Sequence, residues 1–161
     1  MTHARFHTMR HLETVRNFLN ACVRELLLRG EQHDQSKLEP PEVDAYETIT
    51  HQLRVRGLPY GSDEYRAVLR GQQAAIAHHY AHNRHHPEHH AHGVSDMTLI
   101  DLLELLCDWK SSSLRQADGD IYKSLEMKHQ QLGYSYELAS ILKNTVDWLE
   151  TQHVFHKAHE S

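Results

Sequence analysis

The sequence predicts an all-α fold: a single compact helical domain of five to six helices. Two observations carry this. Apolar residues recur three and four positions apart, and no useful stretch alternates with the period of two that a half-buried strand requires. The periodic segments are also punctuated by helix-ending and helix-starting residues, Gly30, Pro40-Pro41 and Pro87. With 161 residues there is enough chain for one domain with a real core and too little for a second independent one. Hydrophobic residues at 39% and charged residues at 24% describe a globular chain rather than a disordered one.

The first helix is expected from Thr8 to Arg29, stopping at Gly30, with Leu12, Val15, Leu19, Cys22, Val23 and Leu26 as its apolar stripe. His11 shares a face with Val15, Phe18 and Cys22 and is expected to point inward. A loop from Glu31 to Pro41 follows. The second helix opens at Pro40-Pro41 and buries Val43, Tyr46, Ile49 and Leu53, before a turn over 57–62. A third begins near Asp63, carries Tyr65, Val68, Leu69, Gln72, Ile76 and His79 on one side, and ends before Pro87. Ser95 or Asp96 is expected to cap a fourth, Met97 to Gln116, whose narrow polar stripe is acidic: Asp101, Glu104, Asp108. A turn at Asp118-Gly119-Asp120 precedes a short helix, and a last helix runs from Tyr136 to His156.

Charge and composition exclude several function classes. The net charge of −5 disfavours stable binding to long nucleic acid, while leaving room for a local pocket for one small phosphate compound. No apolar run is long enough to span a membrane, and the polar N-terminus lacks a signal core. The two cysteines, Cys22 and Cys107, lie in apolar helical patterns and suggest no disulfide framework. A cytoplasmic protein is expected. The oligomeric state is left open, a homodimer included.

Histidine is the anomaly: 17 in all, eight of them between His78 and His92. The adjacent pair His33-Asp34 offers a nitrogen and an oxygen to one ion. It also reads as a solvated loop pair with Asp34 as a helix cap. A buried His11 needs a hydrogen-bond partner or a metal. Three acids on one face of a largely apolar helix are either solvated or face a cation, and the narrowness of their arc favours a cation, with Asp108 as the ligand. Within the tract, positions 79, 82, 83 and 86 share a face, so His79 and His86 can converge. Most of the remaining histidines are expected in solvent.

The order His11, His33-Asp34, His79 with His86, and Asp108 resembles the HD superfamily of metal-dependent phosphohydrolases. The segment Leu106-Cys107-Asp108-Trp109-Lys110-Ser111 is similar to that superfamily's late helix. Segments HDQSK, HHYAHNRHHPEH and DLLELLCDWK are further similar to an uncharacterised family of small helical proteins from bacteria and phages. The superfamily resemblance implies that His11, His33, Asp34 and Asp108 hold a first metal, and that histidines of the tract, His79 and His86, serve a second. Lys37 stands where small nucleotidases of the group place a water-activating Glu.

The implied activity is hydrolysis of a phosphate ester, a nucleotide by the analogy. One or two divalent transition ions, Mn, Fe, Co, Ni or Zn, suit the mixed imidazole and carboxylate donors. Lys37, Arg84 and Lys110 are the candidates to bind the substrate phosphate. Lys37, Glu88, Glu104 and Lys110 are the candidate catalytic residues, Glu88 or Glu104 moving the proton. The competing reading is a non-catalytic, histidine-rich metal-binding or sensor protein.

Overall fold

Seven α-helices and three short 3-10 turns make up the computed structural model, which describes residues 3–58, 62–115 and 119–152; no strand occurs among them. The expected turns over 57–62 and 118–120, and the end of the last helix, lie partly outside the described residues. Two compact units divide the chain, residues 1–83 and 84–161.

In the first unit, α1 spans His3–Gln32, longer than its apolar stripe suggested at both ends. Gly30 continues the helix instead of ending it. The left-handed residue that turns the chain is Asp34, at φ 56° and ψ 14°. Aspartate tolerates this region better than most side chains because its short polar group bonds locally. A 3-10 turn, Gln35–Leu38, leads to α2, Glu42–Arg56, which closes on Gly57 at φ 57°. The helix expected from Asp63 into the histidine tract is in fact two, α3 (Asp63–Arg70) and α4 (Gln73–His82), parted at Gly71-Gln72. The Gly71 N–H bonds back to Ala67 and Val68, which closes α3 before α4 restarts.

α2 packs on the 3-10 turn, α3 and α4. The buried side chains of this unit are Ala45, Ile49, Val68 and Ala75, together with Glu42, His79 and Asn83. Small apolar groups thus surround a polar set, and the second helix buries Glu42 more completely than the expected Val43, Tyr46 or Leu53.

The second unit opens with 3-10 turns at Pro87–His89 and Gly93–Asp96, followed by α5 (Leu99–Leu114), α6 (Ile121–Leu132) and α7 (Tyr136–Thr151). Thr98 caps α5, in place of the expected Ser95 or Asp96. Its hydroxyl accepts from the Asp101 N–H at 3.2 Å, while the Asp101 carboxylate accepts from the Thr98 N–H at 2.9 Å, a reciprocal capping box. Asp96 is engaged by the His92 N–H and ring instead. Leu106, Ile121, Leu125, Tyr134, Leu142 and Val146 form the core, with Val94, Trp109, Leu132, Leu138 and Ala139 against it. No helix among the described residues is long and apolar enough to cross a membrane.

Candidate metal centre

In the first unit the HDQSK segment folds onto α2 and α4. The left-handed turn at Asp34 aims its carboxylate between two imidazoles: Oδ2 lies 3.5 Å from His33 Nε2, and Oδ1 lies 3.3 Å from His79 Nε2. Lys37 donates to Oδ2 at 2.6 Å and lies 5.0 Å from the Tyr46 ring centroid. His33, Asp34 and His79, three residues singled out in the sequence, are thereby brought together.

What holds His79 is a carboxylate that sequence reasoning passed over. Glu42, fully buried at the first turn of α2, accepts from His79 Nδ1 at 2.8 Å and from Ser36 Oγ at 3.0 Å on one oxygen. Its other oxygen accepts from His78 Nδ1 at 2.7 Å. Asn83 closes the network, its amide donating to Ser36 Oγ and to the His79 carbonyl, both at 2.8 Å. Because Glu42 takes the Nδ1 proton, a neutral His79 turns the lone pair of Nε2 toward Asp34 Oδ1. Two lone pairs at 3.3 Å repel unless a cation or a proton lies between them. This is the arrangement in which an outer carboxylate fixes the tautomer and direction of a metal-binding histidine.

The charges agree with it. Burial, and then the Lys37 ammonium, lower the His79 pKa below 6.5, although Asp34 and Glu42 pull the other way, so the ring is neutral at neutral pH. Burial alone raises the Asp34 pKa, but the hydrogen bond and charge of Lys37 outweigh it and hold the carboxyl below its ordinary value. Glu42 is likewise lowered, its burial more than offset by bonds from His78, Ser36 and His79. Both carboxylates are ionised in the form that ligates or orients.

The second unit carries its own donors. His85 is buried, with Nδ1 3.1 Å from Glu104 Oε1. The His86 ring packs on that of His85, centroids 4.1 Å apart. Asp101, fully buried one turn before Glu104, receives both Nε and Nη2 of Arg84 at 3.3 Å. Arg84, expected to bind phosphate, thus engages a carboxylate. Asp108 lies one turn beyond Glu104, partly buried. Lys110 pairs with Glu150 of α7. Glu88 is exposed on its 3-10 turn.

His11 departs most from expectation. It is exposed on α1, as is every residue from His3 to Arg24. The rest of the tract does structural duty: His82 Nδ1 donates to the His78 carbonyl, His90 Nε2 to the Arg84 carbonyl, and His92 to Asp96. Glu42 and His85 were the residues missed. A glutamate just after Pro40-Pro41 resembles any first-turn helix acid, and the His85-His86 pair gives no hint of which ring turns inward.

A family model described as a family of unknown function (DUF5662) matches residues 2–153. No curated protein and no solved structure shows a significant match.

Proposed function

The chain belongs to this family of unknown function, DUF5662, and from its own residues we propose that it binds a divalent transition metal at Asp34 and His79 and uses it to hydrolyse a phosphate ester. The observation that carries the metal reading is the Glu42–His79–Asp34 line: a buried carboxylate holds one face of the imidazole while the other meets an ionised aspartate. Nitrogen and oxygen donors together suit Mn, Fe, Co, Ni or Zn. Such an ion, when bound, supplies Lewis acidity and a water of lowered pKa.

Each unit by itself carries side chains that suit phosphate chemistry. Lys37 places a cation at Asp34, where it can meet a phosphoryl oxygen. His85 and Glu104 form a pair suited to proton transfer. The nucleotide class comes from the HD-superfamily resemblance, and fold-level likeness does not fix a substrate. A reducing, cytoplasmic setting fits two cysteines that are both free and exposed.

Lys37 also favours a second reading. It stands where small nucleotidases carry an acid, and it binds a proposed ligand, as befits a protein that stores or senses metal without turnover. One experiment separates the two. Protein expressed with metal supplementation is analysed for metal, then assayed for phosphate release from a nucleotide panel with Mn, Fe, Co, Ni or Zn. Hydrolysis lost in Asp34→Ala and His79→Ala supports the phosphohydrolase. Retained metal with no turnover on any phosphoester supports the storage or sensor reading. Less than about half an equivalent of metal defeats both.

A further inference from the structure

The hairpin of α6 and α7 carries a feature unrelated to the metal donors. Tyr122, Glu126 and His129 stand three and four positions apart on α6, as Tyr136, Ser140 and Lys143 do on α7, so each set forms a stripe along its helix. Between the stripes lies a groove of about 330 Å³, with the buried Tyr134 at its base. That is the small end of the range for small-molecule sites, roughly 300–1,000 Å³. The turn between the helices builds one end of it. Gly133, at φ 65°, ends α6 and reverses the chain. The Tyr134 hydroxyl then donates back to the Leu125 carbonyl at 3.2 Å. The His129 ring meets two tyrosines, its centroid 5.0 Å from that of Tyr134 and 4.9 Å from that of Tyr136. On α7 the Ser140 hydroxyl donates to the Tyr136 carbonyl at 3.0 Å. Both hydroxyl protons are thus spent on backbone. What this end of the groove presents is ring surface beside a carboxylate, Glu126.

The charges indicate the occupant. At the Tyr122 end the chain supplies its own ammonium: Lys143 Nζ lies 5.5 Å from the Tyr122 ring centroid and 2.9 Å from Asp147 Oδ2. One ring and one carboxylate hold that cation. At the other end Glu126 stands beside three rings, and among the described residues no lysine or arginine lies over Tyr134 or Tyr136. Burial raises the Tyr134 pKa and the Glu126 charge raises it further, so the field of the carboxylate reaches that ring. An anionic ligand would meet this field as repulsion. Ring faces reward a weakly hydrated cation, and quaternary ammonium groups are the ligands that clustered aromatic side chains recognise. We propose that Tyr134, His129 and Tyr136, with Glu126 as counter-charge, bind a quaternary alkylammonium ion. Every residue of this site lies in the second unit, and its binding does not depend on the metal reading.

The test is titration of the full chain with choline at constant ionic strength, followed by NMR of the aromatic side chains. Choline should saturate at millimolar concentrations and shift the ring signals of Tyr134, Tyr136 and His129. Its uncharged isostere, in which a tert-butyl group replaces the trimethylammonium, should bind about fivefold more weakly or worse, because it lacks the charge that the rings and Glu126 attract. Tyr136→Ala and Glu126→Gln should each weaken choline binding by about threefold or more. Both residues are exposed, so the unfolding midpoint of either variant should match that of the natural chain. No saturation by choline, equal affinity for the uncharged isostere, or natural affinity in either variant overturns the proposal.

Discussion

Glu42 spends both carboxylate oxygens on histidines, and this one residue links the fold of the first unit to its chemistry. Glu42→Gln sets an amide N–H₂ against an imidazole N–H, so one buried donor loses its acceptor at a cost of about 2 kcal/mol. Metal affinity should fall by about 10–100-fold, because the orientation of His79 is lost. Urea unfolding and metal titration of the same variant measure the two effects. The pH dependence has a definite sign. The folded pKa of Glu42 is lowered from 4.5, so its contribution is fully present above that value and disappears as pH falls through the lower, folded one. The stability gap between the natural chain and Glu42→Gln should therefore be constant near neutrality and close in acid. A gap that instead widens below pH 4.5 would contradict the assignment. His79, lowered from 6.5, should leave metal binding insensitive to pH above that value and weaken it only below, as protons compete for Nε2. Asp34→Gly is the cleanest ligand test. Glycine accepts φ 56° without strain, so metal should be lost while the turn is kept.

At the scale of elements, helix ends decide more than helix interiors. The capping box at Thr98 ties the start of α5 to Asp101, the same carboxylate that holds Arg84. Thr98→Ala should cost about 1 kcal/mol of stability, read from the urea midpoint. Gly133 at φ 65° closes α6, and Gly133→Ala should cost a similar amount, about 1 kcal/mol, because the methyl group is strained in that region. The helix types and most of their positions were readable from periodicity. The break at Gly71-Gln72 was not, since the apolar spacing runs on through it. Nor was the end of α1: Gly30 is a common stop residue, yet the helix reaches Gln32 and the chain turns on Asp34 in the αL conformation, its carboxylate bonded by Lys37.

For the molecule as a whole, the two units differ in what fills them. The second has a conventional apolar core around Leu106, Leu142 and Val146. Leu106→Ala there should cost about 2–5 kcal/mol, measured by denaturation, through the cavity it leaves. The first unit instead buries Glu42, His79 and Asn83 among small apolar groups. Such a network specifies its arrangement only when fully satisfied. A metal present at a hundred times its dissociation constant should stabilise the folded chain by about 2.7 kcal/mol, and a chelator should reverse that shift in midpoint.

The sequence by itself determined the helical class, because a 3.6-residue apolar period is a local property that survives without any tertiary contact. It also singled out His33-Asp34 and the histidine tract, because chelating residue types can be read from order and spacing. Tertiary structure alone decided which of two adjacent histidines turns inward, since one residue rotates a side chain by about 100° around a helix. It alone made Glu42 the residue that orients His79, across 37 positions of chain. And it alone left His11 in solvent on α1: a stripe records that a helix has an apolar face, not which surface covers it.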